Sequence, residues 1–593
     1  MQFPRLVLWL AGGALVAGAL GQPAPKLNSL SPDWIQRGTT IEVVFTGDNL
    51  GEVTGFLFDG DAGLSATNVP PPAPPRPTIT VESTGGGISR AEPAPTRDSR
   101  RLVAKVTATA DASLAPREVR VVSAGGVSNP LLLHVGQWPE VPKRDPNGTL
   151  ADAQPVTLPA VISGLLNTVA QTNHFRFKAA RGEELVFEID AARRGSPLDS
   201  SLAVLDASGK ELARNEDALG LDSLLFFTAP ADGEYILQLR DYRFRGGNDY
   251  RYRLTAGPVP YVEAIFPFGG QRGKSVEVAL TGRNLEGATK MTLNIDAKAP
   301  RGRQEIRLST PRGHSNLVPF DVQDFPDLAE AEPNDIPDKA NSVTAPVVIN
   351  GRIGQAGDVD YFKFKPDKDQ KIVCSVAASQ FGSALDALLT LSDASGKLIQ
   401  QNDDSAGADA RLEFDARKDA EYVLALRDLT ERGGGNFAYR LAIRPPSAAA
   451  ESGFSVSFLP DAVRVHRGGR TKVRCEVTRQ AGFDRPVCCE FEGLPPGVYA
   501  EPLLLPAGQP GGLMTLAAVE DCALGTHPLQ LRASGVAGGK AIVRVAQPLN
   551  GEAPVRRGYV TVLEAAPYTL ELASLSAAAE QGQPIQIEVL ARR

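Results

Sequence analysis

Acidic and amide side chains gather in two short runs of this sequence, Glu330-Ala-Glu332-Pro-Asn334-Asp335 and Gly357-Asp358-Val-Asp360-Tyr361-Phe362-Lys363-Phe364. Read as extended chain, the second run has a period of two, which sets Asp358 and Asp360 on the same face as Phe362 and Phe364. A carboxylate on the buried side of a strand is costly unless something pairs with it. Glu330, Glu332 and Asn334 also alternate, so an extended backbone offers all three to one side. Six oxygen-bearing side chains (Glu330, Glu332, Asn334, Asp335, Asp358 and Asp360) thus converge, and a hard cation such as calcium takes ligands of that type and number. Turn capping by Asn334, Asp335 and Asp358 is the competing structural reading. Asp360 favours the cation, because a carboxylate on an apolar face needs a positive partner.

The elements that position these groups are short alternating apolar segments, such as Leu389-Thr-Leu391, separated by Asp, Gly, Ser and Asn clusters. That pattern predicts an antiparallel sandwich of about eight to ten strands over 330–444. The segment also carries Leu385-Asp386, Asp393, Asn402-Asp403-Asp404, Glu421-Tyr422 and a closing Tyr439-Arg-Leu441. Together these motifs resemble the bacterial pre-peptidase C-terminal (PPC) domain, a module appended to secreted peptidases and collagenases. The resemblance implies a β-sandwich that is often calcium-binding, assists secretion or binds polymers, and is not itself catalytic. It also implies that Glu330, Glu332, Asn334, Asp335, Asp358 and Asp360 are the calcium ligands.

The same layout occurs earlier, over 145–257. Asn173-His-Phe175-Arg-Phe177 repeats Asp360-Tyr-Phe362-Lys-Phe364 at an offset of 187 residues, kept by Leu198-Asp199, Asp206, Asn215, Tyr235 and Asp241. A self-match of that length reads as a duplication. In the first copy Gln171 stands for Asp358, Asn173 for Asp360, and Asp145-Pro-Asn147-Gly148 lacks a preceding Glu-x-Glu. Calcium is therefore expected in the second copy only.

A further repeated piece precedes each copy. Leu30-Ser-Pro32, Arg37-Gly38 and Thr46-Gly-Asp-Asn-Leu50 recur as Ile265-Phe-Pro267, Arg272-Gly273 and Thr281-Gly-Arg-Asn-Leu285. This pattern resembles an IPT/TIG immunoglobulin-like domain, over 25–137 and, in a short form that leans on its neighbour, over 260–323. A Pro-rich and then Gly-rich insertion, 69–101, reads as an irregular surface loop of the first. Residues 453–548 alternate in an immunoglobulin-like or CARDB-like manner. Residues 554–593 are expected to begin another such repeat, cut short as in a fragment of a longer product; pairing of this tail onto the preceding domain is the alternative. The expected fold class is thus all-β, with tandem β-sandwich domains joined as beads on a string.

Composition sets the remaining bounds. The 593 residues carry a net charge of -7 with both signs interspersed, so no basic patch suggests nucleic acid. Arg5, the apolar run Leu6 to Leu20 and Ala19-Leu-Gly21 read as a secretory signal over 1–21, and no later segment is apolar enough to span a bilayer. Five cysteines are few for an exported chain of this size. Alternation turns Cys475 and Cys489 toward one core, where a bridge and two buried free thiols both fit. None of the five histidines lies in a metalloprotease or nucleophile motif. The tyrosines Tyr235, Tyr252, Tyr422 and Tyr439 read as core or corner residues rather than a binding platform. The chain is expected to be a non-enzymatic, exported binding or spacer protein of the cell envelope or exterior, touching an extracellular polymer or surface protein. An accessory part of a secreted peptidase, its catalytic domain lying elsewhere, is the alternative.

Overall fold

The computed structural model describes residues 7–9, 23–69, 99–404, 409–446, 453–480, 482–537, 539–566, 569–572, 576–578 and 589–592. The signal segment apart from 7–9, most of the 69–101 insertion and most of the tail past 566 lie outside the described residues. Regular structure among the described residues is β throughout, apart from three single-turn 3-10 helices. The β-branched and aromatic alternation explains this. In Arg411–Ala416 and Tyr422–Asp428 every second side chain is buried, as one core-facing sheet surface requires. The architecture is a series of β-sandwiches. The chain divides into two compact units, 137–449 and the pair 1–136 with 450–593.

In the first of these units the two copies repeat one strand order. One sheet of the first copy runs Glu140–Pro142, Ala160–Leu165, Arg251–Gly257, Glu184–Asp190, Leu224–Thr228; its facing sheet runs Gln154–Pro155, Thr172–Ala179, Gly233–Asp241, Ser200–Asp206, Glu211–Asn215. The second copy follows the same path, from Asp327–Ala329 beside Val347–Arg352 in one sheet and from Asn341–Ser342 beside Val359–Phe364 in the other. Each copy closes over its own apolar core, with Phe175, Phe187 and Leu202 in one and Phe362, Leu389 and Leu424 in the other. Between them, Tyr261–Phe266 to Gly313–Gln323 form two three-stranded sheets. Two three-stranded sheets enclose too little apolar volume alone, and this small sandwich takes Phe381 and Ala438 of the second copy into its core. Phe268 stacks on Phe381 at 5.3 Å between ring centroids.

The other unit is discontinuous in sequence. Its N-terminal sandwich packs a four-stranded sheet, Lys26–Ser31 through Leu64–Asn68, on a sheet containing Arg117–Ser123. Its C-terminal sandwich packs two larger sheets about Phe458, Val473, Cys475, Cys489 and Leu531. The expected end of that sandwich at 548 needs correction. Gly558–Leu563 is one of its strands, parallel to Ala462–His466 and antiparallel to Gly525–Leu529. All six of its residues are buried, so it lacks the alternation that marks a half-exposed strand.

The two sandwiches of this unit meet through buried charge. Arg120, wholly buried, pairs with Asp461 at 2.6 Å. The Tyr559 hydroxyl donates to Asp59 at 2.6 Å, and the Arg556 backbone N–H donates to Glu118 at 3.0 Å. The first and fifth sandwiches are thus packed partners although they lie far apart along the chain. Removing one member of a buried pair strands the other charge. Asp461→Ala is expected to lower stability by about 3–5 kcal/mol in chemical denaturation, and Arg120→Met in the same chain to recover much of that loss.

Candidate metal centre

The acidic phrase is held in place before its carboxylates are considered. Strand Asp327–Ala329 leads into it and is anchored by Arg440, whose guanidinium donates to Asp327 and to Asn350, both at 2.8 Å. Glu140 and Arg253 make the corresponding bridge in the first copy, at 2.7 Å. The Asn341 side chain then brackets Ala331, accepting from its N–H at 2.7 Å and donating to its carbonyl at 2.8 Å. The Tyr361 N–H donates to the Asn334 carbonyl at 3.1 Å. These bonds stitch residues 330–335 across the gap between the two sheets, over the start of Val359–Phe364.

All six expected residues come together there. Glu330, Glu332 and Asp360 present carboxylate oxygens within 4.8 Å of one another, and so do Glu332, Asp335 and Asp358. Glu332 belongs to both sets. Asn334 is fully buried between them, and with its amide nitrogen turned toward the carboxylates it donates to Glu332 at 3.1 Å and Asp360 at 3.0 Å. Strand alternation buries Asp360, Phe362 and Phe364 on one face.

A residue outside the expected set completes the arrangement. The Tyr439 hydroxyl, wholly buried, lies 2.6 Å from Asp360 Oδ2 and 2.7 Å from Glu330 Oε2. One phenolic proton cannot satisfy two carboxylates, so these three groups need a second proton or a cation among them. Burial, and then the Glu330 charge, push the Asp360 carboxyl up to about 9. Burial likewise raises Glu330 and Asp358. Asp358 is 7% exposed; its Oδ2 accepts from the Gly354 N–H at 2.6 Å, while its Oδ1 is buried with no hydrogen-bond partner. Among the described residues none of these five carboxylates forms a salt bridge.

This donor set fits calcium. Oxygens 2.3–2.6 Å from one ion lie at most about 5 Å apart, and the two triads meet that limit. Glu330, Glu332, Asp335, Asp358 and Asp360 would hold the ion, and Asn334 could turn its amide oxygen toward it.

The first copy solves the same electrostatic problem internally. At the offset of 187, Lys143 stands for Glu330, Asp145 for Glu332, and Tyr252 for Tyr439. The Lys143 side chain is 6% exposed, with its ammonium 2.8 Å from Asp145. Asn173 donates to the Tyr252 hydroxyl at 2.7 Å and accepts from Gln171 at 3.2 Å. One carboxylate remains, already paired with a cation.

The histidines are dispersed. His134 stacks on Trp34, and His174 is buried between Gln238 and the Asn147 carbonyl. His314 Nδ1 lies 3.1 Å from the Ser309 hydroxyl, its cross-strand neighbour on an exposed hairpin. Tyr235, Tyr252, Tyr422 and Tyr439 are all buried.

No family model matches the chain. It is 29% identical over 221 residues to a probable subtilase-type serine protease of Deinococcus radiodurans, a match covering 36% of this chain and 28% of that protein. Among solved structures, the pre-peptidase C-terminal domain of a Bacillus anthracis collagenase matches at 18% identity and a TM-score of 0.16, over 19% of this chain and 99% of that one. The N-terminal eight immunoglobulin domains of the Down syndrome cell adhesion molecule match at 9% identity and a TM-score of 0.13, over 96% of this chain and 86% of that one. Among the described residues no helix is long and apolar enough to cross a membrane.

Calcium at 100 times its dissociation constant is expected to stabilise the second copy by about 2.7 kcal/mol and to leave the first unchanged, read copy by copy by hydrogen exchange. Tyr439→Phe should weaken calcium binding about 10–100-fold in calorimetry. In the metal-free chain the folded second copy keeps the Asp360 proton up to about pH 9, whereas the unfolded chain loses it in the ordinary carboxylate range. The folded state thus binds more protons, and its stability falls as pH rises through that window. Calcium binding at neutral pH should accordingly release a proton, seen as a binding enthalpy that changes with the ionisation heat of the buffer.

Proposed function

We propose that this chain is a non-enzymatic, exported binding and spacer protein whose second copy is stiffened by calcium and whose sandwich faces contact an extracellular polymer or surface protein. The observation that carries the calcium part is the buried, unpartnered Asp358 oxygen inside a group of five carboxylates. Cross-linking residues 330–335 to the strand at 359–364 through an ion would fix the junction of the two sheets, as a load-bearing or ligand-presenting module requires. The Ser309–His314 contact lies on an exposed hairpin, and a nucleophile also needs a group orienting its base and donors for an oxyanion.

The 221-residue similarity to a probable subtilase-type protease supports a second reading, in which this chain is an accessory part of a secreted peptidase. In that reading it contributes secretion or substrate binding, and the catalytic domain belongs to another segment or chain.

Sedimentation of the purified chain with insoluble collagen, cellulose and peptidoglycan, with calcium and with chelator, tests the first reading. Retention on one polymer that weakens under chelation is expected. Hydrolysis of casein or collagen by the purified chain, lost in Ser309→Ala, would overturn the non-enzymatic assignment. Coding sequence continuing in frame from this chain into a protease domain would favour the second reading.

A further inference from the structure

We propose that Cys475 and Cys489 are a covalent modification site, joined as a disulfide that ties together the two sheets of the C-terminal sandwich. Cys475 lies in Arg470–Gln480, beside Gly453–Leu459 and Gly511–Ala518 in one sheet. Cys489 lies in Val487–Glu492, beside Leu503–Leu505 and Gly525–Ala537 in the facing sheet. Both side chains are wholly buried, and their Sγ atoms are 3.3 Å apart across the core. Closing that gap to a bond of about 2.05 Å asks for small side-chain rotations.

The other thiols are placed differently. Cys488 is next in sequence to Cys489 but, by strand alternation, faces the opposite side and is half-buried. Cys522 donates to the Pro496 carbonyl at 3.2 Å. Cys374 is buried in the core of the second copy. The fold therefore selects one pair.

Formation is a two-electron oxidation, and the oxidant is a small or protein disulfide of the kind an exported chain meets. One cysteine thiolate attacks a sulfur of that disulfide, giving a mixed disulfide and releasing one thiol. The second cysteine thiolate then attacks the sulfur of the first cysteine, forming the Cys475–Cys489 bond and releasing the second thiol. The two cysteines lose two protons and two electrons, and the oxidant is reduced to two thiols. The contact with Cys489, and then burial, push the Cys475 thiol up, and the core shields both sulfurs, so the exchange belongs to the folding chain, before the sheets close.

The test is to refold the full chain in a reduced and oxidised glutathione buffer, quench free thiols, and titrate them in denaturant without reductant. The five thiols should fall to three, and unreduced peptide mapping should recover one cross-linked pair holding Cys475 and Cys489. Cys488→Ser should still lose two thiols, whereas Cys475→Ser should lose none. Five free thiols in the refolded wild type, or a bridge to Cys488 or Cys522, would overturn the proposal.

Discussion

A single phenol placed between two carboxylates sets the conditions for the second copy. Tyr439 reaches Asp360 and Glu330 at hydrogen-bonding distance from inside the sandwich, where Asp360 is buried and Glu330 half-buried, so water screens their mutual repulsion poorly. Like charges this close must share protons or share a cation. The strand that carries Asp360 also carries Phe362 and Phe364 into the same core. Relieving the repulsion by swinging the carboxylate outward would therefore mean rotating the strand and exposing its apolar face.

The duplication shows two solutions to one geometric problem. In the second copy five carboxylates lie together with hydrogen bonds from Tyr439 and from backbone N–H groups and no ion pair among the described residues. In the first copy the Lys143 ammonium neutralises Asp145, and the amides of Gln171 and Asn173 replace charge with neutral hydrogen bonds. The backbone scaffold is common to both: Arg440 and Arg253 anchor the entering strand in the same way. What differs is that the first copy carries a lysine where the second carries Glu330.

Much of this was legible in the sequence because the period-two runs tie side-chain identity to sheet face. Strand geometry placed Asp360 on the core face, whereas 330–335 is irregular chain brought beside it by the Asn341 side chain and the Tyr361 N–H. Tyr439 was harder to read, since a buried tyrosine in a closing strand looks like packing until its hydroxyl has a partner. Lys143 was hidden because it lies just ahead of the recognised Asp145-Pro-Asn147 phrase, though the offset of 187 reaches it. The strand Gly558–Leu563 escaped because burial on both faces erases alternation. The pairing of Arg120 with Asp461 joins domains far apart in sequence, and local pattern carries no trace of such a contact.

That last contact has a bearing on biosynthesis. A chain emerging N-terminus first presents the Arg120 guanidinium about 340 residues before its carboxylate partner is made. Until Asp461 and Tyr559 arrive, the opening sandwich holds charged groups shaped for an interface that does not yet exist, and hydration must compensate them. The domains in between can each mature as they appear. The interface groups of the N-terminal sandwich are therefore covered only once the segment that carries Asp461 and Tyr559 has been made.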